Sequence, residues 1–368
     1  MTSPSILQIV SGFKPNMDGV GDFARILGGV LWQDHGLRSH FLVYRKPKQL
    51  IDPQEIAPCS ISYSPEPTPE ACAEALEAAL KGNTFQCALL HYVPYGYSSQ
   101  GVPGSFAQMM ARFSEKLDIH IFFHETWAEG PPWKRAFWTK RDQVKSLKLL
   151  MQTCKSSFTS TELYRNRLQS TSPASPKPTR VRIFSNMGEP VTVTPVIERE
   201  RRLVIFGQLV TRLRIYRKQA VLDELCRKLQ ITSVADVGAG MDSAIPHAIA
   251  GMEVQRLGRL DEQEVSHLLS SSLAGAVEYS PEYWAKSGVI AAYAAHGIVP
   301  VFFSERGKLS IEREVPFIDV RDLLAQSKDG APIPDSVLKG VADRSHQLYL
   351  ERQSVARCAE SVAMQVMR

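Results

Sequence analysis

Four stretches of the chain gather residue types that can hold or move charge. Lys286, Ser287 and Gly288 head an Ala-rich run, "KSGVIAAYAAHG". The unpaired N–H groups and positive dipole end of such a helix, next to a lysine and a glycine that admits close approach, suit a phosphate. The plain alternative is a serine cap on a buried helix with a snorkelling lysine. In "FGQLVTRLRIYRK", Gly207 precedes Arg212, Arg214, Arg217 and Lys218. An open turn followed by forked guanidinium donors is what a diphosphate requires, with Arg212 the leading candidate. It reads equally as an exposed basic helix start. "DGVGDFA" places Asp18, Gly21 and Asp22 in a glycine loop that opens a helix, where backbone N–H groups can meet an anion. His91 and the pair His124–Glu125 close two apolar runs, "CALLHYV" and "IHIFFHE", where a proton acceptor could stand. His296, at the end of the Ala-rich helix, is read as compensating the helix dipole.

These residues need elements to hold them. Short β-rich runs alternate with helical patterns from "SILQIVSGF" onward. "TPEACAEALEAALKGN" carries a Thr68 cap, Pro69 in the first turn and a stop at Gly82. Strands are also expected at "SHFLVYR", "SSFTS" and "RVRIFSN", and a helix at "VPGSFAQMMARFSEKL". "LQSTSPASPKPT" reads as a surface loop. The Pro- and charge-rich "EPVTVTPVIERERR" reads as a connector, and the alternation restarts at "RLVIFGQLV". Alternation of this kind predicts parallel sheets with helices on both faces and ligands at the carboxyl ends of the strands. The expected divisions are 1–196, 197–334, and a helical segment 335–368 that packs back on the first domain.

At 368 residues, 44% hydrophobic and 22% charged, the composition is that of a soluble two-domain protein. A net charge of +5 suits anionic small ligands or transient contact with a membrane surface; it falls short of the dense basic stripe of a nucleic-acid binder, so no nucleic-acid partner is expected. No signal peptide or membrane span is expected, which predicts a cytoplasmic location. The six cysteines form no CxxC pair or Cys/His metal spacing, so free thiols in a reducing cytoplasm are expected. "VADVGAG", Val234 to Gly240, has the acidic residue and glycines of an S-adenosylmethionine motif, but lacks the helix and second acid that should follow.

With this layout the chain resembles the GT-B glycosyltransferases, an α/β class with two Rossmann-like domains facing a cleft. The resemblance is nearest to their large retaining, nucleotide-sugar-dependent group (family 4-like). It rests on the order of "DGVGDFARIL", "VIFGQLVTR", "RLGRLDEQEVSHLLSSS" and "GVIAAYAAHGIVPV" and covers most of the chain. It implies a nucleotide-diphosphate sugar held by the second domain and a glycan or small-molecule hydroxyl acceptor held by the first, without a metal or other cofactor. Gly21 would approach the donor phosphates from the first domain, and Gly207, Arg212, Lys218, Lys286, Ser287 and Gly288 from the second. Asp22 and His91 would face the acceptor, with His124, Asp18 or Glu125 taking its proton. The group's two glutamates around the Ala-rich helix are missing: the matching places hold Trp284 and Ala292, leaving Glu278 and Glu282 as neighbouring candidates. A non-catalytic nucleotide-sugar binder is therefore a second reading, and a methyltransferase a third.

Overall fold

The computed structural model describes residues 4–13, 19–240, 243–303, 314–327 and 330–367. Two compact units divide it, one of Met1–Arg182 with Val355–Arg368, the other of Ile183–Ser354.

The first unit alternates β1 (Ser5–Val10), α1 (Gly19–His35), β2 (Arg38–Val43), β3 (Ser60–Tyr63), α2 (Pro69–Gly82) and β4 (Ala88–Tyr92). It continues with α3 (Pro94–Tyr97), α4 (Gly104–Phe113), β5 (Ile119–Phe123), α5 (Arg135–Thr153), β6 (Ser156–Thr159), α6 (Glu162–Thr171) and β7 (Thr179–Arg180). All seven strands pair in parallel in the order β3-β2-β1-β4-β5-β6-β7. The chain builds outward from β1 through β2 and β3, then crosses to β4 on the other side. That reversal opens a crevice at the carboxyl ends of β1 and β4, where ligands enter sheets of this type. The central strands β4 and β5 are buried throughout, which explains their unbroken apolar character.

The second unit repeats the plan with β8 (Glu200–Phe206), α7 (Leu209–Tyr216), α8 (Gln219–Lys228), β9 (Ser233–Val237), β10 (Ala248–Ile249), β11 (Met252–Gly258) and α9 (Glu262–Ser271). Then come β12 (Ser272–Val277), α10 (Gly288–Ala295), β13 (Val299–Phe302), β14 (Ile318–Asp319), α11 (Val320–Leu324) and α12 (Asp335–Arg352). Its order is β10-β11-β9-β8-β12-β13-β14, parallel except for the short β10–β11 pair, and its reversal lies between β8 and β12. Two Rossmann-like parallel-sheet units are therefore present, as the alternation predicts.

Local signals behave as their chemistry requires. Thr68 accepts from Ala71 N at 3.2 Å at the head of α2. The "DEQE" of the Leu260–Val265 region closes a capping box, Asp261 with Glu264, on α9.

Three expectations change. The chain passes between units at Arg182–Ile183, ahead of the expected connector, because "RVRIFSN" leaves the first sheet after β7. Ile183 N instead donates to Ala285 O at 3.0 Å and Ser185 N to the Tyr349 hydroxyl at 2.9 Å. Of the segment 335–368, α12 stays with the second unit and only α13 (Val355–Val366) joins the first, lying along α1. Its buried face, Cys358, Ala359, Val362, Ala363 and Val366, recurs at helical spacing. Finally, Leu168–Thr171 of the expected loop forms the last turn of α6. A long helix that no sequence signal marked, α5, fills the interval before β6; the Pro pair at its approach and its many cations hide its apolar face.

Candidate functional site

In the second unit the carboxyl ends of β8 and β12 are joined across the reversal by α10. Tyr293 anchors that helix: its hydroxyl lies 3.2 Å from Val204 O and 3.1 Å from Ala276 O, and accepts from Phe206 N at 3.2 Å. Gly275 is required beneath it, since a Cβ there would come within 2.6 Å of the Tyr293 ring. The mouth of α10 is capped by Ser287, whose Oγ accepts from Ile290 N at 3.3 Å. Gly288 has open space where a side chain would be. Lys286 lies with its Nζ 5.7 Å from the centre of the Tyr283 ring, and Glu282 is half-buried in the same turn. Gly207, at φ 132°, turns the chain out of β8 close to this mouth; a Cβ there would stand 3.3 Å from Val289.

Beside the reversal lies a cavity of about 350 Å³ lined by Arg214, Arg217, Lys218, Glu278, Tyr279, Ser280 and Pro281. Its floor follows directly from β12 and its basic wall from α7, so the topology alone brings the two stretches together. Glu278 pairs with Arg214 at 3.3 Å and with Lys218 at 3.9 Å, while Lys218 also donates to Phe303 O at 2.7 Å. The exposed Arg217 guanidinium makes no hydrogen bond or ion pair among the described residues, so it is the cation most available to an anion. Lys218 lines this wall, and Arg214, Arg217 and Glu278 carry more of it than the sequence reading gave them.

Arg212 does not belong to it. The side chain is fully buried: Nε donates to Gly207 O at 3.0 Å, Nη2 to Ala239 O at 2.8 Å and Gly240 O at 3.0 Å, and Nη1 to Asp236. Asp236 also accepts from the Tyr216 hydroxyl at 2.6 Å. Arg212 is thus the internal brace of two glycine turns, and its donors are spent on carbonyls. The same geometry removes the acid from "VADVGAG": both Asp236 oxygens are engaged inside the protein, which takes away the feature that suggested S-adenosylmethionine. The places of the missing glutamates are apolar core, Trp284 and Ala292 both being buried.

In the first unit, Asp18 lies outside the described residues. Gly21 is buried where α1 meets the loop after β1, and a Cβ there would fall 2.5 Å from Gly12 O. Asp22 is half-buried in the first turn of α1 and Glu125 half-buried after β5. His91 is fully buried, which rules out direct contact with an acceptor. It sits instead in a chain of hydrogen bonds: Gln8 Nε2 donates to Ser39 Oγ at 2.7 Å, and Gln8 Oε1 lies 2.8 Å from His91 Nε2. His91 Nδ1 then lies 3.1 Å from His124 Nε2. With Gln8 so oriented, His91 donates through Nε2 and accepts at Nδ1, so His124 donates through Nε2 and Nδ1 becomes its basic nitrogen. Phe122 stacks on His124 at 4.5 Å and Phe23 packs edge-on at 4.9 Å. The residue the sequence reading missed here is Gln8, a polar side chain inside an apolar strand, and that anomaly is the signal that could have found it.

Burial drives the His91 pKa down to about 3 and, chiefly by the same cause, that of His120 to about 4. Below about pH 6.5 the unfolded chain takes up protons that the folded chain refuses until those values are reached. The unfolded state then binds more protons, so stability falls as pH falls through that window and is fully present above it. At pH 5 a histidine held this far down costs roughly 2 kcal/mol. Thermal melts between pH 7 and pH 4 are expected to show this decline, and His91→Gln to flatten it; an identical slope in the variant would clear His91 of the effect. His296 is also neutral: buried, with its pKa lowered by desolvation, it donates from Nδ1 to Ala292 O at 2.7 Å and accepts from Ser266 Oγ at 2.8 Å. It is a hydrogen-bonding link rather than a charge on the helix dipole.

An alpha-glucosyltransferase in complex with UDP-glucose and DNA containing an abasic site superposes with a TM-score of 0.63 at 11% identity, covering 99% of both chains. The fold is the GT-B fold. Anabaena HepE, in complex with UDP and glucose, gives a TM-score of 0.60 at 11% identity over 98% of this chain and 99% of its own. An enzyme from Listeria monocytogenes assigned as a UDP-N-acetylglucosamine 2-epimerase gives 0.61 at 12% identity over 100% and 97%. No family model and no curated protein sequence matches the chain. Among the described residues no helix is long and apolar enough to cross a membrane, and no three His, Cys, Asp or Glu side chains are grouped to hold a metal.

Proposed function

We propose that the chain transfers a sugar from a nucleotide-diphosphate sugar to a hydroxyl acceptor, a glycan or small metabolite, with retention, in the cytoplasm and without metal or cofactor. The observation that carries this reading is the basic cavity at the β8/β12 reversal, next to the mouth of α10. Arg217, Lys218 and Arg214 would neutralise the charge that grows on the departing diphosphate, and Lys286 with the Ser287–Gly288 helix end would add a cation and backbone donors. Preorganised charge of this kind acts on the transition state and needs no rearrangement at the moment of bond cleavage. Glu278, held between Arg214 and Lys218, offers the carboxylate that would accept a ribose or sugar hydroxyl, a role the absent glutamates leave open. His124 would take the acceptor proton through Nδ1, its tautomer set by His91 and Gln8. UDP in two of the solved structures that share the fold, as free nucleotide or nucleotide sugar, supports this reading.

The epimerase among those structures favours a second reading, in which the nucleotide sugar itself is altered and no acceptor takes part. Calorimetric titration with UDP, GDP, ADP, TDP and S-adenosylmethionine, with EDTA present, is expected to show selective binding of one nucleoside diphosphate. Incubation of the matching nucleotide sugar with hydroxyl acceptors, DNA included because one of the solved complexes contains it, is expected to give a glycosylated product whose anomeric configuration NMR reads. Product formation only without acceptor would establish the epimerase reading. Binding without turnover would establish a carrier, and failure to bind any diphosphate would end the proposal.

A further inference from the structure

One segment of the first unit is strongly basic. Residues 130–148 hold Lys134, Arg135, Lys140, Arg141, Lys145 and Lys148 against Asp142 alone, so this segment accounts for a charge equal to that of the whole chain, +5. It comprises the approach to α5 and its first turns. The buried face of α5 is Thr139, Gln143, Ser146, Leu147, Leu150 and Met151. The opposite face shows exposed Arg141, Lys145 and Lys148 at helical spacing, and Lys134 and Arg135 are exposed at the head of the helix.

Among these cations stand three aromatic side chains that the fold does not bury: Trp133 is 83% exposed, Trp138 70% and Phe137 45%. The ring of Trp138 is fixed, its Nε1 donating to Pro132 O at 2.7 Å and its edge packed against Phe137 at 5.3 Å. Large exposed aromatics are costly to keep in water, and contiguous ones mark a surface that is covered in use. The nearby carboxylates are already engaged: Asp142 with Lys145 at 3.2 Å, and Glu129 with Lys140 at 3.2 Å and Arg167 at 2.7 Å.

We propose that this face is a docking surface for an anionic lipid bilayer. Tryptophan and phenylalanine belong at the level of the headgroups, and clustered Lys and Arg are drawn to the negative potential of such a membrane. A sugar-stacking platform would pair its rings with unengaged carboxylates or amides. A single-strand binder would line a groove with spaced parallel rings. Here Phe137 and Trp138 sit edge to face in the first turn of α5, in a segment rich in cations. The inference is independent of the proposed transfer reaction, since none of these residues lines the second unit's cavity.

The test is co-sedimentation of the full chain with phosphatidylcholine vesicles, with and without phosphatidylglycerol. Binding is expected only with the anionic lipid, weakening as salt is raised. Trp133→Ser with Phe137→Ser, and separately Arg135→Glu with Arg141→Glu, are each expected to lower the bound fraction at fixed lipid by at least roughly tenfold. Both pairs are exposed, and circular dichroism and UDP titration should match the parent, which separates loss of docking from loss of fold or of donor binding. No sedimentation with anionic vesicles, or equal sedimentation of parent and both variants, overturns the proposal. Preference for a single-stranded oligonucleotide over excess vesicles, or a dimer dispersed by Trp133→Ser with Phe137→Ser, overturns it in favour of those partners.

Discussion

Asp236→Ala is expected to destabilise the second unit by about 3–5 kcal/mol, the range for removing one partner of a buried ion pair. Arg212 would be left fully buried with its charge uncompensated, and the Tyr216 hydroxyl would lose its acceptor. The loss propagates, because the same guanidinium holds the carbonyls of Gly207, Ala239 and Gly240. Those turns are already committed to conformations only glycine takes easily: Gly238 has φ 145°, and a Cβ on it would come within 2.1 Å of Gly207 O. Urea unfolding followed by far-ultraviolet circular dichroism reads the change. Arg212→Met should behave in the same way and weaken nucleotide binding only in step with the fraction folded. A well-folded Arg212→Met with selectively lost nucleotide binding would return Arg212 to the donor site.

Arg217→Ala is expected to do the opposite. Its guanidinium is exposed and makes no hydrogen bond or ion pair among the described residues, so the melting temperature should stay close to that of the parent. The nucleoside diphosphate should bind about 10- to 100-fold more weakly, as for a charge-assisted contact worth roughly 1.5–3 kcal/mol. Raising the salt should narrow the difference between parent and variant, since the site is open to solvent. Equal affinities at low salt would show that the cavity beside β8 and β12 does not hold the phosphates. Taken together, Arg212 and Arg217 separate two uses of arginine five residues apart on one helical stretch: one braces turns from within, the other faces the solvent.

Much of this was legible in the sequence. Strand–helix alternation, the Thr68 cap with Pro69 and the glycines at strand ends are local signals, set by hydrogen-bond geometry within a few residues. They determined two parallel-sheet units and where in each the chain's polar residues would collect. The stop after β8 at Gly207 and the cap at Ser287 were readable for the same reason.

The identity of the contacting side chains was not local. "TRLRIYRK" offers four cations within one helical stretch, and nothing in their spacing says which faces inward. Only the tertiary packing decided it: Asp236 in β9 meets Arg212, and α7 lying against β12 brings Glu278 to Arg214 and Lys218. His91 and His124 both close apolar strands, and in the sequence only the Glu125 beside His124 sets them apart. The parallel register of β1, β4 and β5 distinguished them, burying His91 against Gln8 and leaving His124 as the outer member of the relay. The sequence by itself determined the repeated fold and the edges at which a ligand can bind. The tertiary structure alone decided which charges were neutralised inside and which remained for a ligand, because a buried charge must find its partner across elements far apart in the chain.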